Sequence, residues 1–253
     1  GNTPCVMVSD ESDVLILDAG SGIRSLNETG VLDDYDTIHI LLTHLHMDHI
    51  QGLGFFVPFF MSGRKVNIWG PSGTSHLVER LARYLSPPLF PVRIRDFRCD
   101  LGVLDIPMKP FSIGAFNIYA KYICHPGPTL GFRVEHRGKV LAYIPDHEPA
   151  LASRNFPDDP RWTSGYDLAE GADLLIHDAQ FSDEEYNRSV GWGHSSIRHV
   201  LGFASMTGVK SLALFHHAPS HDDTTLEQLY REYHCSDQDF DVFLSKEGQK
   251  MEL

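Results

Sequence analysis

Short aliphatic and β-branched runs, each closed by glycine or a polar turn, recur along the chain at 5–8, 14–17, 37–42, 65–69, 116–123, 130–135, 140–144, 174–177 and 211–215. Their length and composition predict strands. A different period governs 72–85, where Leu77, Leu81 and Leu85 repeat every fourth residue behind Ser72 and Thr74, and helical spacing returns at 195–206 and 224–233. These stretches predict helices, because residues four apart share one helix face. Hairpin-like pairs of runs flank Gly114, Gly127 and Gly138, and Pro87, Pro88 and Pro91 stiffen a loop. No repeat, low-complexity tract or long linker divides the chain. The pattern predicts an α/β fold of two mixed sheets with helices outside, in a single domain over 1–253.

Composition narrows what such a fold does. A chain of 253 residues has ample material for a core. Its apolar runs are far shorter than the roughly 20 residues that span a bilayer. No basic segment followed by an apolar stretch opens it, so neither a transmembrane protein nor a secretory leader is expected. Thirty-four acidic residues against 21 basic ones give a net charge of −13. That surface repels polyanions and argues against broad nucleic-acid binding. A small anionic substrate remains compatible, since bound divalent metals reverse the local field. Cys5, Cys99, Cys124 and Cys235 form no CxxC, which suits a reducing, cytoplasmic setting. The chain opens Gly1-Asn2-Thr3-Pro4 without methionine, so a trimmed chain lacking a preceding regulatory domain is one expectation.

The candidate chemistry lies in the histidines. Thr43-His44-Leu45-His46-Met47-Asp48-His49 follows the predicted strand 37–42 directly. So many polar heads at a strand end require partners. On extended backbone His44 and His46 point to one side, and the tighter Asp48-His49 step aims at a second point. That arrangement suits two neighbouring metal ions.

This HxHxDH run resembles the signature of the metallo-β-lactamase superfamily, and the family's later landmarks follow in order. Asp18, in Ile16-Leu17-Asp18-Ala19-Gly20-Ser21-Gly22, resembles the early strand-end aspartate, a structural residue beside the site. His125 in Cys124-His125-Pro126-Gly127 resembles the third-motif histidine, Asp146 the bridging aspartate and His216 the last ligand. His217 rivals His216, since alternation presents only one of them inward. The family pattern Leu-x-His-x-x-Pro falls on Leu214, His216 and Pro219. The resemblance implies a four-layer αββα fold, two mixed β-sheets sandwiched between helices. It also implies one metal on His44, His46 and His125, a second on Asp48, His49 and His216, and Asp146 with a hydroxide between them. Nitrogen and oxygen donors without thiolate suit two Zn2+ ions, and manganese or iron would also fit. The metals would bring the pKa of a water towards about 7, with Asp48 orienting the resulting nucleophile.

Two further motifs select among the family's hydrolases. His177-Asp178-Ala179-Gln180 and His194-Ser195-Ser196 resemble the His-Glu-Ala-Thr and His-Ser-Thr pair of ribonuclease Z and related phosphodiesterases, with aspartate replacing glutamate. The resemblance implies His194 as general acid and Asp178 as its partner. Ribonuclease Z itself carries a long arm between its third-motif histidine and bridging aspartate, whereas His125 and Asp146 are 21 positions apart. Thr129-Leu130-Gly131-Phe132-Arg133 resembles the strand after the third histidine, with Arg133 either structural or phosphate-facing. Gly1-Asn2-Thr3 resembles a family loop near the active site. Phe55, Phe56, Phe59 and Phe60 read as core, with an apolar wall as the alternative, and Trp192 as a lid residue.

The expectation is a dinuclear phosphodiesterase for a small phosphodiester, a 3′,5′-cyclic nucleotide being one candidate. It would engage neither extended nucleic acid nor membrane, and homodimerisation stays open. The alternatives are a lactonase or other ester hydrolase with a structural His194, and a non-catalytic metal-binding sensor.

Overall fold

The computed structural model describes residues 1–149, 156–157, 159–233 and 238–253; Cys235 lies outside them. The chain divides into two compact units, Gly1–Pro107 with Ser112–Ala115, and Met108–Phe111 with Phe116–Leu253.

The first unit carries β1 (Val6–Ser9), β2 (Val14–Leu17), β3 (Thr37–Leu41), β4 (Lys65–Gly70) and β5 (Asp100–Asp105), with helices α1 (Ile23–Glu28), α2 (Met47–Ile50) and α3 (Leu77–Ala82). The strands form one sheet in sequence order. β1 runs antiparallel to β2, and every later pair is parallel. β2 is buried along its whole length, which explains why it is a continuous apolar run rather than an alternating one. Leu77, Leu81 and Leu85 all reach the core, yet α3 starts five residues later than the spacing predicts. Gly73 weakens the front of that stretch, and His76 takes extended backbone as the helix cap. β5, Asp-Leu-Gly-Val-Leu-Asp, was not predicted because glycine and aspartate are depleted in strands; pairing with β4 supplies what propensity does not. Phe56 and Phe59 are core, whereas Phe55 is exposed.

The second unit carries β7 (Phe116–Tyr122), β8 (Leu130–His136), β9 (Lys139–Ile144), β10 (Leu174–Asp178), β11 (Ser211–Phe215) and β12 (Asp241–Leu244), with α4 (Tyr166–Ala169), α5 (Asp183–Ser189), α6 (Ile197–Thr207) and α7 (Asp223–Tyr233), and of β6 (Phe111–Ile113) it includes Phe111. The sheet order is β12-β11-β10-β9-β8-β7-β6. β9 to β12 are parallel, whereas β7, β8 and β9 are antiparallel neighbours. Arg137 and Gly138 close the β8–β9 hairpin with φ of 48° and 79°, the doubly positive pair of a type I′ turn. α6 buries Ile197, Val200, Phe203 and Ala204 in the core. α5 has little apolar periodicity, but it opens on a capping box between Ser182 and Glu185. No helix among the described residues is long and apolar enough to cross a membrane.

The core of this unit also holds a pair of fully buried histidines. His177 Nδ1–H donates to Asp178 O at 2.8 Å, so its Nε2 accepts from His147 Nδ1–H at 2.9 Å. Burial pushes the His177 pKa down to about 4 and holds that of His147 well below the usual imidazole range. Folded pKa values below the unfolded value near 6.5 mean that the unfolded chain binds more protons in this window, so stability rises with pH and is lost as pH drops. Urea unfolding at fixed pH should give a constant contribution from this pair above pH 6.5 and a progressive loss from 6.5 towards 4. His177→Phe should flatten that slope.

Candidate metal centre

In both units the polar side chains gather at the carboxyl ends of parallel strands, the usual location for sites in open α/β sheets. Asp18 follows β2 directly, and the chain leaving β3 reaches Thr43 and His44 within three residues. Asp18 has left-handed backbone, φ 60°. Its fully buried carboxylate accepts from Thr43 N–H at 2.8 Å, from Thr43 Oγ1–H at 2.9 Å and from His49 Nδ1–H at 2.8 Å. The aspartate turn and the histidine turn touch backbone to backbone. A Cβ on Gly20 would lie 2.4 Å from Asp48 O, and one on Gly52 would lie 2.1 Å from Gly20 O. Thr3 fastens the same turn, its Oγ1 accepting from Ser21 N–H at 2.7 Å and from Gln51 Nε2 at 2.8 Å. On this scaffold the first unit brings together His44, His46, Asp48 and His49. The His44 ring lies 4.4 Å from His46 and 4.2 Å from His49, centroid to centroid. Asp48 Oδ2 lies 3.4 Å from His49 Nε2.

In the second unit the chain leaving β9 reaches Asp146, β10 ends on Asp178, and His216 follows β11 directly. His125 stands beyond β7, its Nε2 3.6 Å from Asp146 Oδ2, while His216 Nε2 is 3.3 Å from Asp146 Oδ1. His194 Nδ1–H donates to Asp178 Oδ2 at 2.6 Å. The His194 ring stacks on His216 at 5.1 Å and 15°, and meets His125 edge-on at 5.0 Å. Asp178 also accepts from the backbone N–H groups of His147, Gln180 and Ser195. His216 is left-handed, φ 54°. His217 joins none of the metal-competent groups among the described residues, and burial pushes its pKa to about 4.

One pattern runs through both sets. A carboxylate, a carbonyl and an amide oxygen only accept, so His49 on Asp18, His194 on Asp178, His125 on Gly193 O at 2.7 Å and His216 on Gln180 Oε1 at 3.0 Å all carry their hydrogen on Nδ1. Thr43 Oγ1 gives its hydrogen to Asp18 and therefore accepts from His44 Nδ1 at 3.0 Å. In each neutral ring Nε2 then holds the lone pair. Metal-binding imidazoles are oriented in this way, and an all nitrogen-and-oxygen donor set fits divalent zinc, manganese or iron.

The β-lactamase superfamily domain model matches residues 14–217. The chain belongs to the metallo-β-lactamase superfamily. Ribonuclease Z of Haloarcula marismortui is 28% identical to this superfamily member over 251 residues, 85% of this chain and 80% of that one. The metallo-β-lactamase fold protein YhfI of Bacillus subtilis superposes with a TM-score of 0.70 at 18% identity, covering 98% of this chain and 90% of its own. A diphosphatase of the PhnP family superposes with a TM-score of 0.66 at 16% identity, covering 99% and 84%. The fold is thus the α/β metallo-β-lactamase fold with its two mixed sheets, and the relationship makes the protein a metal-dependent hydrolase.

Of the residues that hold these histidines, Asp18 and Asp178 are legible in the sequence. Thr43 and Gln180 lie inside the motifs and Gly193 beside one, but none carries a signature of its own, and Glu148 follows Asp146 by two positions. Arg133 proves structural: its guanidinium bonds Glu135, Leu168 O and Glu170 O, tying β8 to α4. Thr43→Val keeps the shape but removes both a donor to Asp18 and the acceptor for His44. It should lower stability by about 1–3 kcal/mol in urea unfolding and weaken metal affinity by about 10- to 100-fold in chelator competition. Thr43→Ser should behave as wild type.

Proposed function

We propose that this metallohydrolase cleaves a small phosphodiester, a 3′,5′-cyclic nucleotide being the leading candidate, at a dinuclear centre with His194 as general acid. His44, His46, His125 and Asp146 would hold one divalent ion, zinc by preference, and Asp48, His49, His216 and Asp146 would hold another. When bound, the ions supply positive charge for the developing phosphoryl oxyanion and a water that ionises near neutral pH. Asp48, its side chain 40% exposed, would orient that water.

The observation that carries this reading is the His194–Asp178 pair. Asp178 is fully buried, and three backbone N–H groups fix its carboxylate, so the 2.6 Å bond to His194 Nδ1 sets both the ring's orientation and its tautomer. Nε2 is then the nitrogen that takes up a proton to form the imidazolium and, from that form, gives it to the departing oxygen. Alkoxides are poor leaving groups, and such a donor contributes roughly 10²- to 10⁴-fold. A ribonuclease among the relatives supports a phosphodiester as the bond broken. Two features support a small substrate: the −13 charge, and the commitment of the chain between His125 and Asp146 to the β8–β9 hairpin. Trp192, 65% exposed and two residues before His194, offers a face for stacking on a base. The thiols of Cys5, Cys99 and Cys124 support a reducing compartment.

Zinc- or manganese-loaded protein should hydrolyse bis(p-nitrophenyl) phosphate and at least one cyclic nucleotide. His194→Ala should lower kcat by about 10²- to 10⁴-fold with metal content unchanged by elemental analysis. Lactone turnover that is equal in the two proteins, with no phosphodiester cleaved, would establish the lactonase instead.

A further inference from the structure

A buried carboxylate that takes no part in this chemistry lies under the turn that leads to His194. We infer that Glu148 is a positioning residue: by clamping the turn at 191–193 it fixes the carbonyl that sets the tautomer and aim of His125. The inference rests on the metallohydrolase reading insofar as His125 is taken as a ligand.

Glu148 is 1% exposed. Its Oε1 accepts from Tyr186 O–H at 2.8 Å and from Gly191 N–H at 2.9 Å, and its Oε2 accepts from Gly193 N–H at 2.9 Å. Its own N–H donates to Cys124 O at 2.9 Å. One residue thus fastens both the segment that carries His125 and the turn that faces it. Gly193 links the two: its N–H is held by Glu148, while its carbonyl accepts His125 Nδ1–H at 2.7 Å. Moving that peptide unit moves the acceptor that keeps the hydrogen on Nδ1 and the lone pair on Nε2.

The turn needs such a clamp. Gly191 and Gly193 have φ of 88° and 87°, and glycine-rich backbone loses the most entropy on being fixed. Side chains are barred as well as disfavoured at Gly193, where a Cβ would lie 2.2 Å from Pro126 Cδ and 2.6 Å from His125 Nδ1. A carboxylate suits the clamp because all three groups it meets are donors, and only an acceptor-only side chain serves them together. Burial and the adjacent Glu148 push the Tyr186 hydroxyl up, so it remains a donor. Glutamine has the same shape, but its NH2 would face an N–H or O–H. Desolvating the charge is costly, and charge-assisted bonds offset that cost.

The test compares Glu148→Gln with Tyr186→Phe, which removes a bond to Glu148 without touching either glycine. Each is measured for urea stability, for amide exchange and His125 tautomer by ¹⁵N NMR in metal-free protein, and for zinc affinity by chelator competition. Glu148→Gln should speed Gly193 amide exchange by about tenfold or more, reduce the Nδ1–H form of His125, and weaken zinc binding by about 10- to 100-fold. Tyr186→Phe should lower stability while leaving tautomer and zinc affinity within about threefold of wild type. A wild-type tautomer and zinc affinity in Glu148→Gln would overturn the inference. So would equal weakening of zinc binding in both variants in step with their stability. If wild type binds no zinc, the metallohydrolase reading fails, while amide exchange and tautomer in metal-free protein still decide the clamp. Should Glu148→Gln not fold, Glu148→Asp, which draws the carboxylate back by one methylene, is judged by the same measurements.

Discussion

A carboxylate buried at the end of a strand must collect hydrogen bonds from every direction or not be there at all. Each unit places one such group at the carboxyl end of a parallel strand, Asp18 after β2 and Asp178 at the end of β10, both fully out of solvent. Asp18 accepts from the N–H and hydroxyl of Thr43 and from His49, and Asp178 from the N–H groups of His147, Gln180 and Ser195 and from His194. The backbone bonds hold the carboxylate still, and the carboxylate holds the ring. Everything proposed about proton and metal chemistry depends on this order of constraint, because an imidazole with a loose Nδ1 would present either nitrogen.

The cost of that arrangement is visible in the backbone. Asp18 and His216 occupy left-handed conformations that L-residues with side chains rarely adopt. Both stand where a strand breaks off abruptly, so the side chain departs at an angle that extended geometry does not allow. Such strain persists only where the surroundings over-determine it. Here the surroundings are the closely packed glycine turns in the first unit and the Gln180 amide in the second.

Much of this was readable from residue order. Buried strands announce themselves as apolar runs, which is why β2 and β11 lie at 14–17 and 211–215 as read. Consecutive histidines in HxHxDH form a local pattern, and local patterns survive in one dimension. What was not legible is what the partners do over distance. Glu148 meets donors 38 to 45 residues away, and nothing in His147-Glu148-Pro149 distinguishes it from a surface acid. Thr43 and Gln180 are likewise ordinary residues until the fold brings an imidazole to them. β5 and the front of α3 were misread for the opposite reason: sheet pairing overrode the low strand propensity of β5, while a glycine defeated a favourable leucine spacing.

The tight Arg137-Gly138 turn has an evolutionary consequence. A two-residue reversal at the surface is where a β-protein most readily tolerates inserted sequence, since closure entropy grows only with the logarithm of length. β8 and β9 would still pair and deliver Asp146 to the same place however much chain was spliced between them. Chain added at this turn would therefore leave the pairing of β8 with β9 in place.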